Sequence, residues 1–401
     1  MMTSDVRHLS GAEVDRHAED AAAYVHIPFC SAVCPYCDFA VVAGAEDRIG
    51  RYVDAVLAEI AMSPRWRPLD SVYFGGGTPS HVDPAHLRRV LDALASHHGL
   101  ANGSEVTVEA NPEDFGPQRA SELLSAGFNR VSFGAQSFDD AVLARLGRRH
   151  DAGDIEVSLA NARSAGFQNV SMDLIFGTPV ESNESWVATL RRAVALEPDH
   201  ISCYALTVEP GTPLHWDVRA GAAAPDPDTQ ADRYETAERI LGEAGLGRYE
   251  VSNWSRPGRE CRYNLTVWAQ GEYEAYGNGA HRFVDGVRNH NIRRMDAYID
   301  RIEQGVRPIS GSELVRGWDG EIDRLFVGLR RSAGVKPGPG VDALLSTRGG
   351  GVLRHAGVID VFEGRLVVTR PLLTDEVHRQ VLDLSPPQGW VEALERDNLS
   401  D

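Results

Sequence analysis

The feature that most restricts the possible folds of this chain is a short segment that occurs twice. Residues 125–132 read Ser-Ala-Gly-Phe-Asn-Arg-Val-Ser, and residues 164–171 read Ser-Ala-Gly-Phe-Gln-Asn-Val-Ser. A looser third copy starts at Glu243 and reads Glu-Ala-Gly-Leu-Gly-Arg-Tyr. Each copy combines a predicted helix end, a glycine suited to the left-handed position after a helix, and the start of a strand. Such repeats are typical of alternating β/α units, so we predict a parallel sheet with right-handed crossovers.

Apolar stretches along the chain predict six strands for this sheet. Predicted helices alternate with them; residues 47–62 and 84–97, for example, have apolar side chains at helical spacing. We therefore predict an α/β fold with a partial (β/α)6 TIM-like barrel over residues 21–250, in which functional groups gather at the carboxyl ends of the strands. The predicted strands are residues 21–27, 71–74, 105–110, a stretch beginning near 131, 170–176 and 200–206.

Three segments outside the predicted barrel have weaker patterns. Residues 1–20 are polar and acidic, so we expect a flexible N-terminal tail, and we expect a second tail over residues 391–401. Residues 251–310 are rich in Gly, Tyr, Asn and Arg and show little periodicity. We interpret residues 251–310 as a connecting or lid segment.

Residues 311–390 show a helix, a hairpin and a second helix in the pattern of their apolar residues. The hairpin is expected to turn at Glu363 and Gly364, and Thr374 is expected to cap the last helix. This order predicts a small C-terminal domain that is α+β and winged-helix-like, and that packs without chemistry of its own.

The cysteines point to the chemistry of the chain. Cys30, Cys34 and Cys37 lie in the loop after the first predicted strand, spaced C-x3-C-x2-C. Three thiolates are one short of the four that close a structural zinc site or fill an iron–sulfur cluster, so a cluster held here keeps one iron open. Two alternatives stay open: a zinc site with His26 as a fourth ligand, and a disulfide with one spare thiol.

Composition excludes several classes of function. The formal net charge of −18 argues against a nucleic-acid partner, which needs a basic face. No apolar run approaches the roughly 20 residues of a membrane span, and the N-terminus lacks the pattern of a signal peptide. Unpaired cysteines without an export signal predict a reducing, cytoplasmic location.

The cysteine loop resembles that of the radical S-adenosylmethionine (SAM) superfamily. Its longer form, H-I-P-F-C-x3-C-P-Y-C-D-F from His26 to Phe39, is similar to the oxygen-independent coproporphyrinogen III oxidase-like proteins, and among them most similar to HemW-type haem chaperones. The resemblance implies a [4Fe-4S] cluster on Cys30, Cys34 and Cys37, with SAM on the open iron and one-electron cleavage of SAM to a 5′-deoxyadenosyl radical. It further implies an electron donor such as flavodoxin or ferredoxin.

The same resemblance implies a set of residues around SAM. The glycines after the second strand allow close main-chain approach to the SAM amino end, and Gly134-Ala135-Gln136 is similar to the superfamily's G-x-Q motif. A lone aspartate in the apolar fifth strand, Asp173, also suggests a ligand or network role, because burying it alone is costly. The full predicted set is Tyr24, Tyr36, Gly76, Gly77, Thr78, Glu109, Gln136, Arg148, Asp173 and Ala205.

Two departures from the family pattern bear on function. The oxidases carry a further cysteine where this chain has Phe39, so the resemblance favours haem binding and transfer to an acceptor protein over oxidase activity. An oxygen-independent coproporphyrinogen III oxidase-like enzyme acting on a tetrapyrrole is the alternative, and a zinc-stabilised barrel is a third. The stretch that resembles the chaperones' H-N-x-x-Y-W has Tyr263 for histidine and Val267 for tyrosine, while Asn264 and Trp268 remain. Three candidate haem ligands therefore stay open: Tyr263, Cys261 and His281.

Overall fold

A computed structural model of the chain describes residues 11–388 and Trp390. The strands are β1 (Ala21–Ile27), β2 (Phe29–Cys30), β3 (Val42–Ala43), β4 (Leu69–Gly76), β5 (Leu100–Ala110), β6 (Arg130–Gln136), β7 (Asn169–Phe176), β8 (His200–Ala205), β9 (Gly247–Glu250), β10 (Asn253–Ser255), β11 (Glu272–Tyr276), β12 (His281–Val284), β13 (Val287–Asn291), β14 (Ile309–Leu314), β15 (Ile359–Phe362) and β16 (Arg365–Val368). The helices are α1 (Gly11–Arg16), α2 (Ile49–Met62), α3 (Pro84–His97), α4 (Pro117–Ser125), α5 (Asp140–Arg145), α6 (Ala152–Ala165), α7 (Asn183–Ala195), α8 (Pro213–Arg219), α9 (Pro227–Glu243), α10 (Arg262–Trp268), α11 (Met295–Glu303), α12 (Gly317–Gly328), α13 (Pro339–Ser346), α14 (Arg348–His355) and α15 (Thr374–Leu382).

One large sheet organises the molecule. Its order is β14-β13-β12-β11-β1-β4-β5-β6-β7-β8-β10-β9. The six strands from β1 to β8 in this row are parallel and follow the order of the chain, with helices between them. The row does not close on itself among the described residues, because β14 and β9 end it on opposite sides. The predicted α/β fold with a partial (β/α)6 barrel is confirmed.

The repeated segment does what its glycines predict in two of its three copies. Gly127 and Gly166 have φ angles of +106° and +115°, a conformation that glycine adopts without a Cβ penalty. Each ends a helix and leads into the next parallel strand, β6 or β7. The third copy also turns at a glycine with positive φ, Gly245, but it leads into β9, which is antiparallel to β10 at the edge of the sheet.

The core lies between the parallel strands and the helices that cover them. The strands are buried along most of their length, as expected of a parallel sheet whose outer face is covered. Phe74, Phe133 and Trp186 are among the large side chains with no more than 1% of their surface exposed. Burying one such side chain stabilises the fold by roughly 1.5–3 kcal/mol. This core holds the strand ends in fixed positions.

Residues 251–310, which we interpreted as a connecting segment, add strands to the sheet. Strand β11 pairs in parallel with β1, and β12 and β13 continue the sheet antiparallel from it. The apolar patterns of these strands in the sequence are weak because the strands are short. The pairing of β11 with β12 is also short, with the single register pair Tyr273 and Phe283. Among the described residues, no helix is long and apolar enough to span a membrane.

Residues 317–382 form a C-terminal module with an apolar cluster of its own, which includes Leu325, Leu344 and Val377. It contains the expected hairpin, β15 and β16, turning at Glu363 and Gly364, and it adds α13 and α14 before that hairpin. Thr374 does not cap α15 as predicted. It is the first residue of the helix, and its hydroxyl donates to the carbonyl of Pro371.

The N-terminal residues that the structure describes contact the C-terminal module. Asp15 of α1 accepts hydrogen bonds of 2.7 and 3.0 Å from the guanidinium of Arg365 in β16. Residues 1–20 were expected to be a flexible tail, but residues 11–16 instead form α1, which Asp15 holds to the C-terminal module. Residues 1–10 and the expected C-terminal tail, 391–401, lie outside the described residues.

Candidate functional site

A single cavity of about 2070 Å³ opens at the carboxyl ends of the parallel strands. The structure brings together all thirteen residues that were singled out for cluster and SAM binding, because each of them lines this cavity. They are Tyr24, Cys30, Cys34, Tyr36, Cys37, Gly76, Gly77, Thr78, Glu109, Gln136, Arg148, Asp173 and Ala205.

The cysteine loop is fastened to the glycine segment that follows β4. The Gly77 amide donates to the carbonyl of Ile27 at 2.8 Å, and the Thr78 amide donates to that of Phe29 at 2.8 Å. Cys30 is also the last residue of β2, which pairs with β3. The three cysteines are half-buried free thiols. The loop therefore holds its sulfurs at the cavity wall without a disulfide.

A chain of side-chain contacts connects two of the three sulfurs. The Thr78 hydroxyl donates to Cys30 Sγ at 3.6 Å, and the Asn111 amide donates to Thr78 Oγ1 at 3.2 Å. Arg148 donates to Asn111 Oδ1 at 2.5 Å and, through Nη1, to Cys34 Sγ at 3.5 Å. A hydroxyl donor thus faces Cys30 and a guanidinium faces Cys34, and both groups suit sulfurs that ligate iron as thiolates.

The close approach of Gly77 to the loop leaves no room for a side chain. A Cβ at this position would lie 2.8 Å from the Pro28 carbonyl oxygen and 2.9 Å from Cys30 Sγ. Gly76 beside it has φ +114°, and its Cβ would overlap the ring of His26. The free thiols fit a metal cluster, and the absence of side chains at Gly76 and Gly77 fits a ligand that binds directly to main-chain groups.

Burial keeps the sulfur of Cys30 protonated when no metal is bound. It raises the pKa of the Cys30 thiol to about 11, although the Thr78 hydrogen bond acts in the opposite direction. Thiols that ligate iron release their protons to it, so cluster binding reverses this shift.

Glu109 lies at the end of β5 and faces the cavity. It accepts hydrogen bonds from the Tyr73 hydroxyl at 2.8 Å and from the Gly76 amide at 3.0 Å. Burial, and then the charge of Asp173, raise the pKa of Glu109 to about 7. The carboxyl group is therefore fixed in place and can accept or donate a hydrogen bond near neutral pH.

Asp173 and Gln136 occupy neighbouring strands. Asp173 Oδ2 accepts from the Ser132 hydroxyl at 3.1 Å, and burial raises the pKa of the carboxyl above its usual value. Gln136 has φ +62° beside a break in the register of β6 with β7. Such bulges redirect a side chain, and here the redirected glutamine faces the cavity.

The remaining predicted residues line different parts of the wall. Tyr24 stacks with Tyr73 at 6.2 Å between ring centroids. Tyr36 packs against a small apolar cluster that includes Val142 and Leu206. Ala205 is the exposed last residue of β8.

His26 does not offer the fourth ligand of a zinc site. Its Nε2 lies 3.0 Å from the Ala40 carbonyl and its Nδ1 lies 3.3 Å from the Tyr24 hydroxyl, so both nitrogens are engaged. Burial lowers the pKa of His26 to about 4, which keeps the ring neutral. Across the described part of the chain, no three His, Cys, Asp or Glu side chains are grouped to hold a single metal ion.

Sequence reasoning missed several side chains of the cavity, and two of them, Asn111 and Arg130, bear on the predicted site. Asn111 joins Thr78 to Arg148, as described above. Arg130 is 1% exposed and lines the cavity, and neither its Nε nor its Nη1 has a hydrogen-bond partner within the described residues. The sequence could have identified Arg130, because it is a lone cation in an apolar strand. The lone acid Asp173 was identified from the same kind of pattern.

The three candidate haem ligands all line the cavity, in different surroundings. Tyr263 lies among the rings of Tyr24, Tyr73 and Tyr273, with centroids 5.3–6.0 Å away. Cys261 is 1% exposed at the start of α10. His281 is exposed on β12.

Comparison with known proteins agrees with this geometry. A model of the radical SAM superfamily matches residues 24–193. The haem chaperone HemW of Mycobacterium tuberculosis is 40% identical over 301 residues, which cover 72% of this chain and 76% of that protein. The HemW haem chaperone of a Synechocystis species is 38% identical over 304 residues, covering 73% and 74%.

A solved structure matches over nearly the full length. Coproporphyrinogen III oxidase (HemN) from Escherichia coli, a radical SAM enzyme, superposes with a TM-score of 0.77 over 95% of this chain and 96% of that one. At 21% identity this match establishes the fold alone. Because the sequence relatives are far more similar and extend over three quarters of their own length, this chain belongs to the family of HemW haem chaperones within the radical SAM superfamily.

Proposed function

We propose that this protein binds haem and transfers it to an acceptor protein, with a [4Fe-4S] cluster and SAM bound in the same cavity. The observation that carries the proposal is the convergence of all thirteen predicted residues on one cavity, in a chain whose relatives are named haem chaperones.

The cluster would be held by Cys30, Cys34 and Cys37, and when bound and reduced it supplies one electron to SAM. Arg148 is placed to bind the SAM carboxylate, because its guanidinium faces the cavity beside Cys34. Gly76 and Gly77 present main-chain groups to the amino end, and Glu109 binds a ribose hydroxyl or the ammonium group. Tyr24, Tyr36, Thr78, Gln136, Asp173 and Ala205 complete the wall around SAM.

The size of the cavity supports a second, larger ligand. Pockets for drug-sized molecules measure roughly 300–1,000 Å³. The cavity of this protein is about 2070 Å³. Space therefore remains for a tetrapyrrole after a nucleoside-sized ligand is bound.

Phe39 supports a chaperone rather than an oxidase. It stands where the oxidases have a further cysteine, and 66% of its surface is exposed at the cavity. A phenyl ring offers an apolar contact to a macrocycle but no thiol. We propose that no vinyl-bearing product forms from coproporphyrinogen.

Two partners follow from this function. An electron donor such as flavodoxin or ferredoxin would reduce the cluster, and an apo-haemoprotein would accept the haem. All five cysteines are free thiols, which fits a reducing cytoplasm.

The test is anaerobic haem binding and transfer. Purified protein with reconstituted cluster is titrated with haem while the Soret band is recorded, and is then mixed with an apo-haemoprotein. We expect the Soret band to saturate near one equivalent of haem, and we expect the haem then to move to the apo-haemoprotein. No band at one equivalent, or formation of a vinyl-bearing product from coproporphyrinogen with SAM and reductant, contradicts the proposal.

The matched variant is C30A/C34A/C37A. The three side chains lie outside the apolar core, so far-UV circular dichroism should stay unchanged. Iron, sulfide and the brown colour should be lost together. Unchanged iron content contradicts the assignment of the cluster ligands.

A further inference from the structure

The position of the haem ligand is open in this chain, because Tyr263 stands where a histidine is expected from the family pattern. Tyr263, Cys261 and His281 all line the cavity. Their surroundings differ enough to separate them.

Tyr263 and Cys261 are poorly placed to become anionic ligands. Burial, followed by the neighbouring tyrosines, raises the pKa of Tyr263 well above its ordinary value. The Cys261 thiol is 1% exposed, and burial raises its pKa to about 12. Cys261 is also buried, and Tyr263 is half-buried among three tyrosine rings, so both are less accessible to the iron of a macrocycle than the exposed His281.

His281 has a partner that the sequence did not suggest. His281 and His290 face each other across β12 and β13 in register, and their rings stack with centroids 5.2 Å apart and an interplanar angle of 25°. The next residue in this row is Gly311 of β14, whose missing side chain leaves space for the His290 ring. Both histidines are exposed and line the cavity.

The ring nitrogens of this pair are available. Among residues 11–388, neither imidazole has a hydrogen-bond partner. A neutral imidazole ligates iron without losing a proton. This distinguishes the pair from His26, whose two nitrogens are both engaged.

The same cavity offers groups suited to the rest of a haem molecule. Phe39, Leu372 and Leu373 are exposed apolar side chains that line it, from the cysteine loop and from the turn before α15. Arg293 and Arg370 are exposed cations on its wall. Apolar surface suits the macrocycle, and guanidinium groups suit the propionate carboxylates.

We propose that the cross-strand pair His281–His290 supplies the imidazole that ligates haem iron in this protein. The inference rests on the proposed haem-binding function and names its ligands. The two rings stack in the same wall of the cavity, so each single substitution leaves one imidazole at this place. The C-terminal module contributes the apolar side of the cleft through Leu372 and Leu373.

The test compares variants of the full-length, cluster-loaded protein by Soret absorption during haem titration. We expect H281A and H290A each to weaken binding and H281A/H290A to raise the apparent Kd by more than about tenfold, because loss of even an outer-shell partner of a metal ligand typically costs about 10–100-fold. The control H355A removes an exposed histidine from α14, away from the cavity, and should bind haem like the wild type. Y263F should also keep the band.

The outcomes separate this inference from the function on which it rests. Recovery of the band when imidazole is added to H281A/H290A supports the assignment, provided that iron and sulfide of the cluster are unchanged. If the double variant binds haem as tightly as the wild type, or if Y263F loses the band while the double variant keeps it, the pair is not the ligand although haem binding stands. If the wild type shows no band, the proposed function fails and this inference fails with it.

Discussion

Gly77 shows how a single residue position controls the site. Its backbone lies against both the Pro28 carbonyl and Cys30 Sγ. The Gly77→Ala variant must push the cysteine loop away, because a Cβ 2.9 Å from sulfur is closer than packing allows. We expect less cluster iron per chain and only a small loss of stability, since the loop carries little of the core.

The matched control for this prediction is Gly50→Ala in α2. Nothing lies within 4 Å of a Cβ at Gly50, and alanine favours a helix over glycine by up to about 1 kcal/mol. Iron and sulfide analysis after anaerobic reconstitution measures both variants. Equal iron content in the two variants means that the close contact at Gly77 does not position Cys30.

At the scale of residues, the sequence predicted individual site residues better than it predicted the contacts between their side chains. Asp173 was found because an acid in an apolar strand demands a partner, and it has one in Ser132. The same reasoning applied to Arg130 but was obscured by the repeat that contains it. Asn111 was missed because its partner Arg148 lies 37 residues away, and no local pattern reports such a contact.

At the scale of elements, Glu59 joins α2 to three later segments. Its carboxylate accepts from the Gly277 amide at 2.8 Å, the Tyr298 hydroxyl at 2.7 Å and Asn291 Nδ2 at 2.7 Å. The side chain is 1% exposed, and burial raises its pKa to about 7 from an ordinary value of 4.5. Folding therefore takes up a proton at Glu59 between these two pH values.

The sign of the resulting pH dependence follows from linkage. Because the folded state binds the proton more tightly, the stability of the wild type relative to Glu59→Gln should fall as pH rises from about 4.5 to about 7, by up to ~3 kcal/mol, and then stay level. Urea unfolding at several pH values measures this difference. Glu19→Gln, at an exposed carboxyl, controls for the loss of one charge. A difference that grows with pH would show that the Glu59 carboxylate is charged and stabilising.

The elements that could be predicted are those with strong local periodicity. Helix α3 has the predicted bounds, and β1 ends before Pro28 as expected. Strands β11 to β13 escaped prediction because they are four or five residues long and pair with partners that are distant in sequence, such as Ala23 with Glu274. That pairing brings the His281–His290 pair to the cavity.

At the scale of the whole molecule, helix α1 near the start of the chain is hydrogen-bonded to the C-terminal module. Arg365 of the C-terminal module donates to both oxygens of Asp15 in α1, and also to the carbonyls of Ala333 and Gly334 at 2.7 and 3.0 Å. The Arg365 and Asp15 side chains are only 11% and 18% exposed. A bidentate, half-buried pair of this kind is stronger than a surface ion pair.

The last prediction concerns this connection. Arg365→Met keeps the length of the side chain but leaves the Asp15 carboxylate with Lys336 as its remaining cation and the Ala333 carbonyl without its donor, so we expect a loss of about 1–3 kcal/mol in the free energy of unfolding. Lys336→Met is the matched control, because Lys336 contacts the same carboxylate at 3.1 Å with 65% of its side chain exposed, and it should change stability by less than about 0.5 kcal/mol. Thermal unfolding measures the stability of the two variants, and Soret titration measures their affinity for haem. Because the module also contributes Leu372 and Leu373 to the cavity, loosening it should weaken haem binding more in Arg365→Met than in Lys336→Met. If the two variants differ clearly in stability but bind haem equally well, the haem-binding cavity does not depend on the contact between α1 and the C-terminal module.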